Sequence, residues 1–173
     1  MIKYEFIKEK HLEKTSYQAY DIKNLDEINI ATTSMYIGKN HCACILAKNL
    51  TSYFSINNKA LKNISYEELH TYIHNGPIIF LAGKLKRYYK TKGINLSYKH
   101  PKNIIKALNN NHPCALLLSA NLYDYHWVLC VGYRKYSNQT YLKILNGWDK
   151  SLDTYYPLNS NTKLLNVTEY YLR

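Results

Sequence analysis

Residues 126–148, HWVLCVGYRKYSNQTYLKILNGW, are the stretch that decides the fold. Its two apolar segments, separated by a short polar turn, have the composition of strands joined as a β-hairpin. His126 stands at the start of the first strand, and Asn146 stands at the end of the second. Because an antiparallel hairpin brings those two ends together, we expect His126 and Asn146 to be neighbours. A histidine held by an amide or carboxylate is the base half of a nucleophilic site.

The composition is that of one globular domain. The chain has 173 residues, of which 46% are apolar and 14% are aromatic. A chain of this length buries roughly two-thirds of its unfolded surface, and this composition excludes a disordered chain. We therefore expect residues 1–173 to form a single domain, with a mainly helical half at 1–111 and a mainly β half at 112–173.

The apolar segments are far too short to span a bilayer, and the first residues have no hydrophobic core of a signal peptide. We therefore expect a cytoplasmic protein, with leaderless export left open. Four cysteines are present, and Cys114 and Cys130 lie inside apolar segments. This placement favours reduced, buried thiols over a disulfide framework.

The net charge of +11 raises the question of an anionic partner. The basic residues are densest around two tyrosines, at Lys84, Lys86, Arg87, Tyr88, Tyr89, Lys90 and Lys92. Nucleic-acid binding would use such a patch, with cations on phosphates and tyrosines stacked on bases. Lysine and tyrosine are abundant throughout the chain, however, as in proteins from AT-rich genomes. Nucleic-acid binding is therefore not expected.

A helix is predicted to begin at Cys42, with Asn40 as its N-cap and a stop at 57–58. Apolar residues recur along it at three- and four-residue spacing. In its first turn, unpaired backbone N–H groups and the helix dipole stabilise a thiolate at Cys42. Cys44 lies about 200° further round the helix, so the two thiols face different surroundings.

The remaining elements are predicted to be three helices followed by a sheet. A capping box from Ser65 to Glu68 predicts a helix that ends at 76–77, and two more follow at 78–92 and 101–108. Strands are predicted at 2–7, 113–119, 125–133, 141–145, 154–158 and 163–172. Helices first and sheet second indicate an α+β fold with a cleft between its two halves.

Three segments resemble the papain-like cysteine peptidases. Residues 126–133, HWVLCVGY, have the form of the segment that carries the catalytic histidine there. Residues 145–148, LNGW, look like the segment with asparagine and tryptophan, and residues 42–50, CACILAKNL, resemble the start of the central helix in the C39-like branch. The resemblance implies a papain-like fold, with that helix packed on an antiparallel β half.

The resemblance also implies a thiol hydrolase, a C39-like peptidase or amidase that needs no cofactor. Cys42 would be the nucleophile, with its pKa lowered by the helix start and by His126. His126 would accept the thiol proton and later protonate the leaving group. Asn146 would hold the imidazole ring by a hydrogen bond, and Trp148 would keep water off that bond.

One departure from the family concerns the oxyanion of the reaction. The superfamily usually has a glutamine shortly before the cysteine to donate to it, and that position is Tyr36 here. Tyr36, Ser34 or Asn40 would have to supplement the backbone N–H of Cys42. Loss of one such donor typically lowers the rate roughly a hundred- to a thousand-fold.

Alternatives remain open for individual residues. Asp149 or Asp153 would replace Asn146 if the hairpin register differs, because register does not follow from one sequence. Cys44 is a second candidate nucleophile, deeper in the helix. His70 and His74 have the spacing of zinc ligands on a helix, but no third ligand follows, so no metal site is expected.

Two other functions fit the same fold. In an acyltransferase of the butirosin type, which residues 41–42 also resemble, an amine rather than water resolves the acyl-enzyme. A non-catalytic binding protein on this scaffold is the third alternative, suggested by the missing glutamine. The expected partner is a peptide, amide or acyl-thioester substrate, bound in a cleft that residues 120–125 help to line.

Overall fold

A computed structural model describes residues 4–76, 78–121, 124–159 and 163–173, which form a mixed α+β fold. The α-helices of these residues are α1 (Cys42–Ser55), α2 (Tyr66–Ile73), α3 (Leu81–Thr91) and α4 (Ile104–Asn109). Their strands are β1 (Ile7–Lys8), β2 (Gln18–Asp21), β3 (Leu96–Lys99), β4 (Cys114–Asn121), β5 (Asp124–Lys135), β6 (Thr140–Leu145), β7 (Thr154–Pro157) and β8 (Lys163–Leu172). The predicted α+β class is confirmed.

The described strands form one antiparallel sheet with β5 at its centre. Its order is β1-β7-β6-β5-β4-β8-β3, and β2 also pairs with β5. Along one edge of β5, residues 124–130 pair with β4 and residues 132–135 pair with β2. Strand β6 pairs with residues 129–135 along the other edge. His126 therefore lies on the central strand, at a position where β4 pairs with it.

The predicted hairpin is present as β5 and β6. Leu129 lies opposite Leu145, and Lys135 lies opposite Thr140. Asn146 follows directly after the last residue of β6. This register brings Asn146 to the part of β5 that carries His126.

Helix α1 packs against β5 and buries most of its length. Asn49, which is 1% exposed, accepts a hydrogen bond from the Ala31 backbone N at 2.7 Å and donates to the Ala31 O at 3.1 Å. A buried amide is costly unless its polar atoms are bonded in this way. Asn49 therefore ties the segment that precedes the helix to the helix itself.

The helices begin close to the predicted residues. In α2, the Ser65 hydroxyl accepts from the Glu68 backbone N at 3.1 Å, so the predicted cap is confirmed. The N-cap of α1 is His41 rather than Asn40, since Asn40 has a left-handed φ of +54° and lies outside the helix. Helix α3 begins three residues later than predicted.

The predicted strands from residue 113 onward are confirmed within two residues at each end, and β8 has the predicted bounds. The strand predicted at 2–7 is wrong over residues 4–6, because the described part of that strand begins only at Ile7, and residues 1–3 lie outside the described ranges. Strands β2 and β3 were not predicted. Both are only four residues long, and five of their eight side chains are exposed, so neither gives a strong local strand pattern.

The four cysteines are free, with Cys42 partly exposed and Cys44, Cys114 and Cys130 buried. Cys114 and Cys130 lie opposite each other on β4 and β5. Among the helices in the described ranges, none combines the length and the apolar character that crossing a membrane requires.

Candidate active site

A cavity of about 840 Å³ lies where the start of α1 faces β5. Cys42, His126 and Trp148 all border it. Tyr125, from the segment that was expected to line the cleft, borders it as well. The predicted nucleophile and base, which are far apart in sequence, thus share one solvent space.

His126 is fixed through one ring nitrogen. Its Nε2 lies 2.7 Å from the backbone carbonyl oxygen of Asn146, and the residue is 5% exposed. A carbonyl oxygen only accepts hydrogen bonds, so Nε2 carries the hydrogen. In the neutral ring Nδ1 is then the basic nitrogen. The main chain at Asn146 therefore sets both the orientation and the tautomer of this histidine.

The side chain of Asn146 has a different task from the predicted one. Its Oδ1 accepts from the backbone N of Trp148 at 2.7 Å and of Asp149 at 3.2 Å, and its Nδ2 lies 3.4 Å from a carboxylate oxygen of Asp149. Asparagine bonded to the main chain two residues on is a common turn former. The predicted contact between residues 126 and 146 exists, but it is made by the backbone because the amide is engaged in the turn.

Asp149 and Asp153 were the alternative partners for the histidine. Lys8 Nζ lies 3.3 Å from Asp149 Oδ2 and 3.0 Å from Asp153 Oδ1. Hydrogen bonds from Ser151 and Lys8 lower the pKa of Asp153. Both carboxylates thus pair with Lys8 on β1, and Nε2 of His126 bonds to Asn146.

Aromatic rings surround the histidine. Trp148 stacks on His126 with ring centroids 4.4 Å apart and an interplanar angle of 16°. Tyr4 lies 5.3 Å from the His126 ring, and Phe6 lies 5.5 Å from the Trp148 ring. The sequence assigned a covering role to Trp148 alone. Tyr4 and Phe6 were missed, because the alternation of residues 2–7 predicts a strand and no motif ties these two residues to a site.

Cys42 is the first residue of α1. Burial raises the pKa of Cys42 above its ordinary value, although backbone N–H groups of Trp127, Ala43 and Cys42 itself favour the anion and offset part of the rise. The predicted lowering of this pKa is therefore wrong. The resting group is a thiol, so nucleophilic chemistry here requires a proton acceptor.

Cys44 points to a different part of the fold. Its thiol donates to the backbone carbonyl oxygen of His74 at 3.3 Å. Burial, with a smaller contribution from Cys42, raises the pKa of Cys44 to about 12. The structure therefore places Cys44 in the core, and Cys42 is the thiol that borders the cavity.

The sequence predicts three alternative second donors to the oxyanion, the side chains of Tyr36, Ser34 and Asn40. Tyr36 stacks on Tyr66, with ring centroids 3.8 Å apart and an interplanar angle of 14°. The Ser34 hydroxyl lies 3.0 Å from the Thr32 hydroxyl. Asn40 borders the cavity. Of these three positions, Asn40 is therefore the one that the structure brings to the site.

His41 was not predicted as a site residue, although it directly precedes Cys42. It borders the cavity, and its Nδ1 is hydrogen-bonded to the hydroxyl of Tyr66. Its position before the candidate nucleophile was the one available signal in the sequence.

His70 of the predicted histidine pair and the basic segment around Tyr88 both contact other residues of the fold. His70 Nε2 lies 2.6 Å from Asn75 Oδ1, and within the described ranges no three histidine, cysteine, aspartate or glutamate residues are grouped to hold a metal ion. In the basic segment, Tyr88 and Tyr89 are buried in the core, so their rings are not available to stack on bases. Lys92 pairs with Glu68 at 3.0 Å.

No protein-family model and no curated protein sequence matches the chain. The assignment of this site therefore rests on its geometry and on the resemblance of its segments. The cavity, the fixed histidine and the thiol are the observations that any function must explain.

Proposed function

We propose that the protein is a thiol hydrolase on a papain-like fold, in which Cys42 attacks the acyl carbon of a peptide, amide or thioester. The observation that carries the proposal is that Cys42 and His126 border one cavity while Asn146 fixes His126 at Nε2. The packing of α1 on the central strand of an antiparallel sheet supports the fold assignment.

His126 acts first as a base in this proposal. Because the pKa of Cys42 is raised, the thiol keeps its proton until a substrate is bound. Nδ1 of His126 takes that proton as sulfur bonds to the acyl carbon, and the imidazolium later protonates the leaving group. Water then hydrolyses the acyl-enzyme, which returns the free thiol.

The surroundings of the histidine suit this proton transfer. Trp148 covers one face of the ring, and Tyr4 lies at its side. Exclusion of water strengthens the hydrogen bond to the Asn146 carbonyl, and this bond stabilises the imidazolium as it forms.

Acylation with p-nitrophenyl acetate tests the proposal, with the site of modification read by mass spectrometry. The parent and the matched control Cys44→Ala should form an acetyl adduct at Cys42. His126→Ala should slow its formation by about 10²- to 10⁴-fold, the usual contribution of a general base. If the Cys42→Ala variant is acetylated as fast as the parent, the acetyl group is not on Cys42 and the proposal is wrong. An added amine that accepts the acetyl group would indicate acyl transfer instead of hydrolysis.

The raised pKa of Cys42 favours one second candidate, a non-catalytic binding protein with the same fold. An inert thiol in a cavity that only binds a ligand needs no base beside it. This candidate predicts that Cys42 reacts no faster than a buried thiol and that His126→Ala leaves its acylation rate unchanged. The same experiment therefore separates the two functions.

A further inference from the structure

We propose that His41 donates the second hydrogen bond to the oxyanion that forms at Cys42, through the hydrogen on its Nε2. The inference rests on the proposed acyl chemistry of Cys42, and it makes His41 a catalytic residue of that reaction. It also fills the position that the missing glutamine leaves open.

The ring of His41 is held at the start of α1. His41 is the N-cap of the helix, and its carbonyl oxygen accepts from the backbone N of Cys44 at 3.0 Å and of Ile45 at 3.1 Å. A methyl group added at Gly38 would lie 3.3 Å from Nδ1 of His41, so the loop before the helix packs closely on the ring. The side chain is thereby held at the helix start, on the residue that precedes the nucleophile in the chain.

The hydrogen-bond network assigns the tautomer of His41. Nδ1 is bonded to the hydroxyl of Tyr66, and among the described residues this hydroxyl has no other hydrogen-bond partner. Burial raises the pKa of Tyr66 to about 12, so the hydroxyl keeps its hydrogen at neutral pH and donates it to Nδ1. Burial and the nearby His70 lower the pKa of His41, which favours the neutral ring. The single N–H of that ring is then on Nε2.

Nε2 of His41 is an unused donor at the cavity. Within the described ranges no protein atom is hydrogen-bonded to it. In the described ranges, the side-chain polar atoms that have neither solvent contact nor a hydrogen bond are the hydroxyls of Tyr136, Tyr155 and Tyr170. Nε2 of His41 is not among them although it has no hydrogen bond, so solvent reaches it. The residue is only 4% exposed and borders the cavity, so the solvent that this N–H reaches is that of the cavity, which Cys42 also borders. A substrate oxygen that enters the cavity can therefore replace water as the acceptor of this N–H.

In the proposed reaction His41 donates a hydrogen bond and neither gains nor loses a proton. The thiol proton of Cys42 passes to Nδ1 of His126 as the sulfur–carbon bond forms, and the carbonyl π pair moves onto oxygen. The N–H of His41 and the backbone N–H of Cys42 donate to that oxyanion. Collapse re-forms the carbonyl and breaks the bond to the leaving group, which takes the proton from His126. A neutral imidazole at a helix start can polarise a carbonyl in this way without losing its proton.

Tyr36 contributes to the same arrangement indirectly. It stacks on Tyr66, whose hydroxyl orients His41. The residue in the usual glutamine position is thus a positioning residue, which reaches the oxyanion through Tyr66 and His41.

Two reactions of one thiol test the inference. Acylation by p-nitrophenyl acetate passes through an oxyanion, whereas alkylation by iodoacetamide does not. His41→Ala should slow acylation of Cys42 by about 10²- to 10³-fold and leave the alkylation rate unchanged. His41→Gln, which keeps a side-chain N–H, should recover most of the lost acylation rate. His100→Ala is the control and should change neither rate, because the His100 ring bonds to the Val167 carbonyl oxygen at 2.8 Å and His100 is not among the described residues that border the cavity.

Tyr66→Phe provides a second readout if His41→Ala does not fold. Loss of the donor to Nδ1 lets the hydrogen move there, so acylation should fall about fivefold while alkylation is unchanged. The inference is overturned if the parent acylates at Cys42 but the His41 and Tyr66 variants lose both reactions in parallel, or lose neither. A parent that acylates no faster than Cys42→Ala instead overturns the proposed function, and the role of His41 with it.

Discussion

The backbone carbonyl oxygen of Asn146 lies 2.7 Å from Nε2 of His126, so the main chain fixes the imidazole. A side-chain amide can turn either its oxygen or its nitrogen toward a ring, whereas a backbone carbonyl always accepts. The turn that presents this carbonyl is built by the Asn146 side chain and by Gly147, which has a φ of +78°. Substitutions in the turn therefore affect the site through backbone position.

Asn146→Ala should lower acylation of Cys42 far less than the roughly 10⁴-fold loss that follows removal of a side chain that orients a catalytic histidine. The backbone carbonyl remains, and only the turn is weakened, at a cost of about 0.5–2 kcal/mol in unfolding free energy. Acylation kinetics and urea unfolding measure the two effects. Asn146→Asp keeps the Oδ1 acceptor but sets a second carboxylate against Asp149, so it should restore only part of the stability. An Asn146→Ala variant as slow as His126→Ala would contradict this prediction.

Alkylation of Cys42 by iodoacetamide should accelerate about tenfold per pH unit through neutral pH and beyond, because only the thiolate reacts. The alkylation rate rises with pH because burial raises the pKa of Cys42. The thiol is therefore protonated at neutral pH and ionises only in alkaline solution. Peptide mass spectrometry measures the rate at this residue, with Cys42→Ala as the blank. A plateau of the rate below neutral pH would instead indicate a preformed ion pair with His126.

Gly147→Ala should destabilise the fold more than Gly93→Ala does. Both glycines have left-handed φ values, +78° and +74°, so each variant loses about 1–2 kcal/mol to backbone strain. A Cβ at position 147 would also lie 3.3 Å from Cγ2 of Ile45, whereas one at position 93 would meet no atom within 4 Å. Urea unfolding gives the difference.

The same pair of variants separates stability from site geometry. Gly147→Ala should also slow acylation, since it displaces the carbonyl that holds His126, and Gly93→Ala should not. Equal effects of the two substitutions on both measurements would show that the contact with Ile45 is without consequence.

Asn49→Ala should lower the unfolding free energy by about 2–4 kcal/mol, because it leaves the buried backbone N–H and carbonyl of Ala31 without partners. Asn58→Ala is the matched control. Its side chain accepts one exposed hydrogen bond, from the Ala60 backbone N at 3.1 Å, and its loss should cost about 1 kcal/mol or less. Similar unfolding midpoints for the two variants would argue against the role of Asn49.

The sheet from residue 113 onward could be predicted because β4 and β5 carry unbroken apolar runs and the later strands are rich in tyrosine, leucine and threonine between polar breaks. Strand β2 could not, since three of its four residues are exposed and, among the described strands, it pairs with the far end of β5 alone. Whether such a segment is a strand depends on the partner that it meets. The partner lies more than a hundred residues away in the chain, so no local pattern reports it.

Residue types identified the centre of the site but not its hydrogen bonds. Cys42 and His126 were predicted because a cysteine at a helix start and a histidine at a strand start have recognisable sequence contexts. The sequence does not show which atom of Asn146 bonds to the His126 ring. Asparagine has a backbone carbonyl oxygen and a side-chain amide oxygen, and only the folded backbone determines which of the two faces the ring. The burial that raises the pKa of Cys42 is likewise a property of the assembled fold.

The aromatic cover of His126 has a consequence for folding kinetics. Tyr4 and Trp148, whose ring centroids are 5.9 Å apart, come from nearly opposite ends of the chain. Contacts of such high sequence separation close the largest loops and tend to form late. During refolding, Trp148 fluorescence and the ability of Cys42 to be acylated should therefore recover after the circular dichroism of the helices. The protein would become competent for chemistry only when its first residues have met the turn that carries Trp148.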